Sequence, residues 1–184
     1  MKKVLFIVGS LRKNSFNRQL AEKAAASFAE VEYSFLDYAD LPFMNQDIEY
    51  PVPDAVQRVR DEVKKADILW IFTPEYNYSY PGVLKNLLDW LSRPTDPQDR
   101  KSPSAIRGKT VMISSVAGQS GGRNAQEKLA TLLRDIGAVL VKETGFSHAL
   151  GKEEFMTDEL QLSPEEKMSL AMEASNLILS INGF

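Results

Sequence analysis

The chain of 184 residues contains no cysteine and a single histidine, His148. The first absence removes disulfides, cysteine-ligated zinc, iron–sulfur clusters and thiol nucleophiles. The second removes multi-histidine metal sites, and any Ser-His-Asp arrangement would have to use His148. No apolar run approaches the roughly 20 residues of a spanning helix. After Met1-Lys2-Lys3 come only about five apolar residues, too short for a secretory signal. Cytoplasm is therefore the expected compartment. With 22 basic and 25 acidic side chains, the net charge of −3 offers no general attraction to nucleic acid or anionic membrane. The composition is 43% hydrophobic and 26% charged, which suits one globular domain over 1–184.

Three short segments are dominated by apolar residues: Val4–Val8, Ile68–Phe72 and Thr110–Val116. Each reads as a strand buried on both faces. Residues 31–36 alternate through Val31, Tyr33 and Phe35, and a last strand begins at Val139 and Val141. These two read as edges. Between them lie helical stripes: Leu20, Ala24 and Phe28; Val56, Val59, Val63 and Ala66; Leu84, Leu87, Leu88 and Leu91; Leu129, Leu132, Leu133 and Ile136. Pro81 suits the start of the third helix, and Gly137 stops the fourth. Ser163-Pro164-Glu165-Glu166 forms a capping box for a closing helix carrying Ala171, Ala174, Ile178 and Ile181. Residues 93–108 read as a long surface loop. Five strand–helix alternations imply a parallel sheet covered on both faces. Placing the apolar strands centrally predicts the order 2-1-3-4-5, a flavodoxin-like α/β three-layer sandwich. In that arrangement a ligand sits beyond the carboxyl ends of strands one and three, where the order reverses.

The loops at that point carry the chemistry. After strand one, Gly9 to Asn17 holds two hydroxyls, two amides, Arg12 and Lys13, and leads into a helix. A helix N-terminus with hydroxyls and one guanidinium suits a terminal phosphate monoester. It has neither the Walker pattern nor G-x-G-x-x-G. A plain helix cap with a solvated arginine is the alternative. After strand three, Thr73 to Gly82 places three tyrosines and Asn77 between prolines, a stiff aromatic wall for a flat heterocycle. The alternative is a tight turn with surface aromatics. After strand four, Gly118, Gly121 and Gly122 permit close backbone approach to a ligand, or simply a flexible connection.

At Gly9-Ser10-Leu11-Arg12-x-x-Ser15-x-Asn17 and Pro74-Glu75-Tyr76-Asn77-Tyr78-Ser79-x-Pro81-Gly82-Val83-Leu84-Lys85-Asn86-Leu87-Leu88-Asp89-Trp90-Leu91, the chain resembles the NADPH-dependent FMN reductase family. That family includes quinone, azo and chromate reductases. Gly121-Gly122-Arg123 matches more loosely, and the resemblance covers about the first 145 residues. It implies FMN as cofactor and NADPH or NADH as co-substrate. Electrons would pass to a small acceptor such as a quinone, azo compound, chromate or free flavin. It implies that Ser10, Arg12, Ser15 and Asn17 hold the phosphate, and that Pro74, Glu75, Tyr76 and Asn77 lie along the isoalloxazine. Ser115 and Gly118 would approach the flavin from the fourth-strand loop, supplying donors at its N1–O2 edge. It also implies a homodimer or homotetramer. The 93–108 loop is longer than the family pattern, and the fourth-strand loop carries an extra residue before its glycines.

The flavin supplies the redox chemistry, so no side chain is expected to act as base or nucleophile. His148 reads as a surface or capping residue. Glu75 reads as a loop stabiliser or a subunit contact, and Trp90 as packing or an oligomer contact. A flavodoxin-type carrier without turnover is the alternative, and a flavin-free phosphate-binding regulator a third reading. The modest charge and Arg12 favour the enzyme.

Overall fold

A computed structural model describes residues 2–28, 31–96 and 98–182. Its strands are β1 (Lys3–Val8), β2 (Glu32–Phe35), β3 (Ile68–Thr73), β4 (Thr110–Ala117), β5 (Val139–Leu140) and β6 (Ser147–Ala149). Its helices are α1 (Phe16–Ala25), α2 (Asp54–Lys65), α3 (Gly82–Leu91), α4 (Arg123–Asp135), α5 (Lys152–Thr157) and α6 (Pro164–Asn182). All strand pairings are parallel in the order β2-β1-β3-β4-β5, as the hydrophobic patterns predict.

Alternation along the central strands divides the core. Leu5, Ile7, Leu69, Ile71, Val111 and Ile113 face α2, α3 and α4. Val4, Phe6, Val8, Trp70, Phe72 and Met112 face Leu20, Ala21 and Ala24 of α1 and Leu170, Ala174 and Leu177 of α6. Successive side chains point to opposite faces of a strand, so a run without polar residues has to be covered twice. On the α1 side Trp70 is fully buried, and its indole N–H donates to Ser114 Oγ at 2.9 Å. Trp90 is also fully buried, with Nε1 donating to Pro42 O at 2.8 Å. It packs inside the protomer. The side chain of Ile181 lies outside the described residues.

The far edge departs from the expected five strands. β5 pairs with only Thr110 and Val111, and β6 pairs with Ser115, Val116 and Ala117. Between them the chain leaves the ladder at residues 142–146. Gly145 passes against Ile113 O, leaving no room for a side chain there. Gln126 and Glu173 hold the excursion. Gln126 Oε1 accepts from Gly145 N at 2.9 Å, and Glu173 Oε2 accepts from Phe146 N at 2.8 Å. The returning strand carries the chain back to the carboxyl ends of the sheet. From there α5 and the start of α6 complete the site. No helix among the described residues is long and apolar enough to cross a membrane.

Candidate functional site

The loops after β1, β3 and β4 meet in a cleft of roughly 410 Å3 at the switch point. Of the expected residues, Ser10, Arg12, Ser15, Asn17, Pro74, Glu75, Tyr76 and Gly118 line it. Its volume lies within the usual range of small-molecule sites.

Ser15 caps α1: its Oγ accepts from Arg18 N at 3.4 Å, and its hydroxyl proton remains available to a ligand. The first-turn N–H groups of α1 have no intrahelical acceptor. Ser10 Oγ accepts from Arg12 N at 3.3 Å. These groups fit a terminal phosphate. Asn17 is different. Its Nδ2 donates to Val116 O at 2.8 Å and its Oδ1 accepts from Val116 N at 2.9 Å. The side chain ties α1 to β4, leaving only its backbone N–H for a phosphate.

After β3, Tyr76 and Ser79 exchange backbone hydrogen bonds of 2.8 and 3.1 Å around Asn77 and Tyr78. Both central residues are left-handed, with φ of 51° and 60°. This is the tight turn of a two-residue hairpin. It leaves Tyr76 and Tyr78 exposed and carries Asn77 away from the cleft lining. Glu75 joins two loops. Its carboxylate accepts from Ser120 Oγ, Asn124 Nδ2 and Ala125 N at 2.9, 3.1 and 3.0 Å. Burial opposes its charge, but these donors at the start of α4 outweigh burial and hold the carboxyl below the usual range. A carboxylate engaged in this way is a brace between loops rather than a proton donor.

The glycines after β4 serve two ends. A Cβ on Gly122, at φ 89°, would stand 2.6 Å from the Ser115 side chain, and Gly121 abuts Ser147. Both permit approach of the loop to β4 and β6. Only Gly118 faces open space. Ser115 is fully buried, its Oγ donating to Gly121 O at 2.6 Å and accepting from Gln126 Nε2 at 2.6 Å. It therefore supports the glycine turn from behind, and the cleft is met by Val116, Ala117 and Gly118 instead.

The remaining wall comes from a segment the sequence left without assignment. Leu150, Phe155 and Asp158 line the cleft. Phe155 packs edge-on against Phe16, with centroids 6.2 Å apart. Arg12 Nη1 donates to Asp158 Oδ1 at 2.7 Å, and the guanidinium lies over the Phe16 ring at 5.1 Å. His148 holds the segment in place. Rather than lying at the surface, it is 7% exposed. Its Nδ1 meets Glu166 Oε1 at 2.7 Å and its Nε2 meets Glu154 Oε1 at 2.9 Å. Burial opposes its charge, but the two carboxylates prevail and raise its pKa. Glu154 and Glu166 are correspondingly lowered: burial works against them, while backbone donors and His148 favour their charge.

The comparisons with known proteins agree with this geometry. A sequence profile described as NADPH-dependent FMN reductase matches residues 2–151. The chain is 46% identical over 112 residues to a 2-hydroxy-1,4-benzoquinone reductase of a Burkholderia species, covering 59% of this chain and 61% of that one. It is thus aligned to about three fifths of that relative. It is 35% identical over 169 residues to the NAD(P)H:quinone oxidoreductase of Solanum tuberosum, covering 89% of this chain and 78% of the other. Among solved structures, the flavoenzyme NAD(P)H:(acceptor) oxidoreductase FerB of Paracoccus denitrificans superposes with a TM-score of 0.84 at 28% identity, covering 99% and 98% of the two chains. With its switch-point cleft and a family match spanning four fifths of its length, the chain belongs to the NADPH-dependent FMN reductase family.

Proposed function

We propose that this protein oxidises a reduced nicotinamide and passes the electrons through FMN to a quinone. The observation that carries the reading is the convergence of the α1 N-terminus, the Pro74–Tyr76 wall and the open backbone at Gly118 on one cleft. Bound there, FMN would supply the hydride and electron chemistry. Ser10, Arg12, Ser15 and the first-turn N–H groups of α1 would hold its phosphate. Pro74, Glu75 and Tyr76 would lie along its ring system, with Asn77 shaping the turn beyond. Glu75 fixes the distance between the second and third loops, so the slot keeps its width. Gly118 would bring backbone to the ring edge on which reduction builds charge, with Val116 and Ala117 lining the cleft beside it. Exposed Tyr76 and Tyr78 beside the slot are the surface a second copy of the chain would cover, in keeping with a homodimer or homotetramer.

Purified protein should carry or take up FMN, visible as flavin absorbance. It should oxidise NADH or NADPH in the presence of a benzoquinone with steady-state turnover. Flavin binding without turnover on quinone, azo compound, chromate or free flavin would leave an electron carrier instead. Comparing the two nucleotides across those acceptors identifies the preferred pair.

A further inference from the structure

The cleft that fits a phosphate already holds an anion. Among the described residues, three charged side chains line it: Arg12, Glu75 and Asp158. Glu75 is engaged by Ser120, Asn124 and Ala125, whereas Asp158 takes the one guanidinium, at 2.7 Å. A phosphate monoester carries roughly −1.5 to −2 near neutrality. It would therefore enter a lining that, among the described residues, carries more negative than positive charge and whose cation Arg12 is paired.

This pair is delivered with care. Asp158 N donates to Glu154 O at 2.8 Å, closing α5. Gln19 of α1 grips the backbone at and just after the residue, its Nε2 donating to Asp158 O at 3.0 Å and its Oε1 accepting from Leu160 N at 2.7 Å. Glu154 accepts from Gly151 N at 2.8 Å and Gln161 N at 2.9 Å, and meets His148. The segment bearing the carboxylate is thus tied to α1, β6 and itself. Nothing in the turn requires the charge. At φ 58° the backbone is left-handed, which Asn or Gly adopts as readily as Asp. The turn accounts for a small residue here; it does not account for a carboxylate facing Arg12.

We infer that Asp158 is a built-in competitor for the flavin phosphate: a phosphate-bearing flavin binds by drawing Arg12 away from Asp158, so FMN is held exchangeably and its advantage over riboflavin is reduced. This rests on the cleft being the FMN site. Removing the carboxylate should strengthen binding of the phosphorylated flavin and leave the unphosphorylated one alone. A role in merely holding the segment predicts the reverse, weakening both.

The test is titration of FMN and riboflavin by flavin fluorescence quenching, in wild type and Asp158→Asn. Asn keeps the shape and the left-handed backbone. FMN should bind about tenfold tighter to the variant, as expected when one like charge is removed from a partly solvated anion site. Riboflavin should change less than about twofold. The FMN gain should shrink on going from about 0.01 to about 1 M salt, where the screening length falls from roughly 30 to 3 Å. Unchanged or weaker FMN binding, or equal changes for both flavins, overturns the inference while leaving the flavin site intact. Wild type that quenches neither flavin removes the proposed function and this inference with it. Should Asp158→Asn fail to fold, Asp158→Gly gives the same readout.

Discussion

Two walls enclose the cleft, and they are held by different means. The first is made of loops that each follow a buried parallel strand, and their shape is fixed by backbone: a left-handed turn at Asn77-Tyr78, positive φ at Gly121 and Gly122, a cap at Ser15. The second, residues 145–166, touches the core through Phe146, Leu160 and Leu162. It is fixed by side chains reaching from elsewhere, with Gln126, Glu173 and Gln19 gripping its backbone and His148 bridging two glutamates. Steric constraints leave the first wall few alternatives. The second leans more on polar and charged side chains, and loosening it should leave the central strands intact.

The sharpest test of the first wall is Gly122→Ala. The new methyl would meet the buried Ser115 side chain at 2.6 Å, on a backbone with φ 89°. Left-handed strain and overpacking together should cost about 3 kcal/mol. For a chain of this size that lowers the melting midpoint by roughly 6–12 °C. A midpoint within about 1 °C of wild type would mean the loop is not sterically held, and the contrast between the walls would collapse.

On the second wall, Glu154→Ala removes the acceptor for Gly151 N, Gln161 N and His148 at a site only 5% exposed. Unsatisfied donors in such a place should cost about 2 kcal/mol. The loss should be local. Hydrogen exchange should speed across 147–166 while β1, β3 and β4 keep their protection. Faster exchange throughout the sheet would show that the second wall is no separate unit.

The same difference explains what could be read from the sequence. Strand order was legible because Val4–Val8, Ile68–Phe72 and Thr110–Val116 are rich in apolar residues on both faces, as central strands have to be. The loop wall was legible because its glycines, prolines and hydroxyls carry local conformational meaning. The side chains of Asn17 and Ser115 are engaged for a reason the sequence does not show: their types suit a ligand, but their partners, Val116 and Gln126, are settled by tertiary packing. β6 has three residues and α5 six, too short for any hydrophobic period to show. Asp158 gains its meaning from Arg12, 146 positions away, a distance over which spacing says nothing. His148 looked like a surface residue because nothing local announces Glu154 and Glu166 as partners.

That triad gives the second wall a pH dependence near neutrality, where the lowered Glu75 carboxyl of the first wall stays charged. The pKa of His148 is raised in the fold. Its charge therefore stabilises the fold fully below the unfolded value of about 6.5 and ceases to do so as pH rises through the raised folded value. Glu154 and Glu166 are lowered, so their contribution is complete above their ordinary range and fades only as pH falls through the depressed values. Between these limits, in mildly acidic solution, the second wall should be firmest. Stability should fall on the alkaline side by at most about 1.4 kcal/mol per pH unit for one proton. His148→Gln should flatten that slope in melting curves taken from pH 6 to 9. An equal slope in the variant would assign the effect to other groups.

The gentlest substitution separates the walls by function rather than by stability. Gly118 has no positive φ, and a Cβ there would meet nothing within 4 Å. Gly118→Ala should therefore leave folding unchanged within about 0.5 kcal/mol. Its neighbours three and four residues on are jammed against Ser147 and Ser115, so the fold already has a reason for glycine at 121 and 122. It has none at 118. If the open face of Gly118 is where backbone meets the flavin ring, the added methyl should weaken FMN and riboflavin alike, by a few-fold, because it obstructs the ring and not the phosphate. Equal loss for both flavins with an unchanged melting midpoint would tie this position to the ring. A variant that binds both as wild type does would leave Gly118 as a bend in the chain and shift the ring toward the Pro74–Tyr76 side of the cleft.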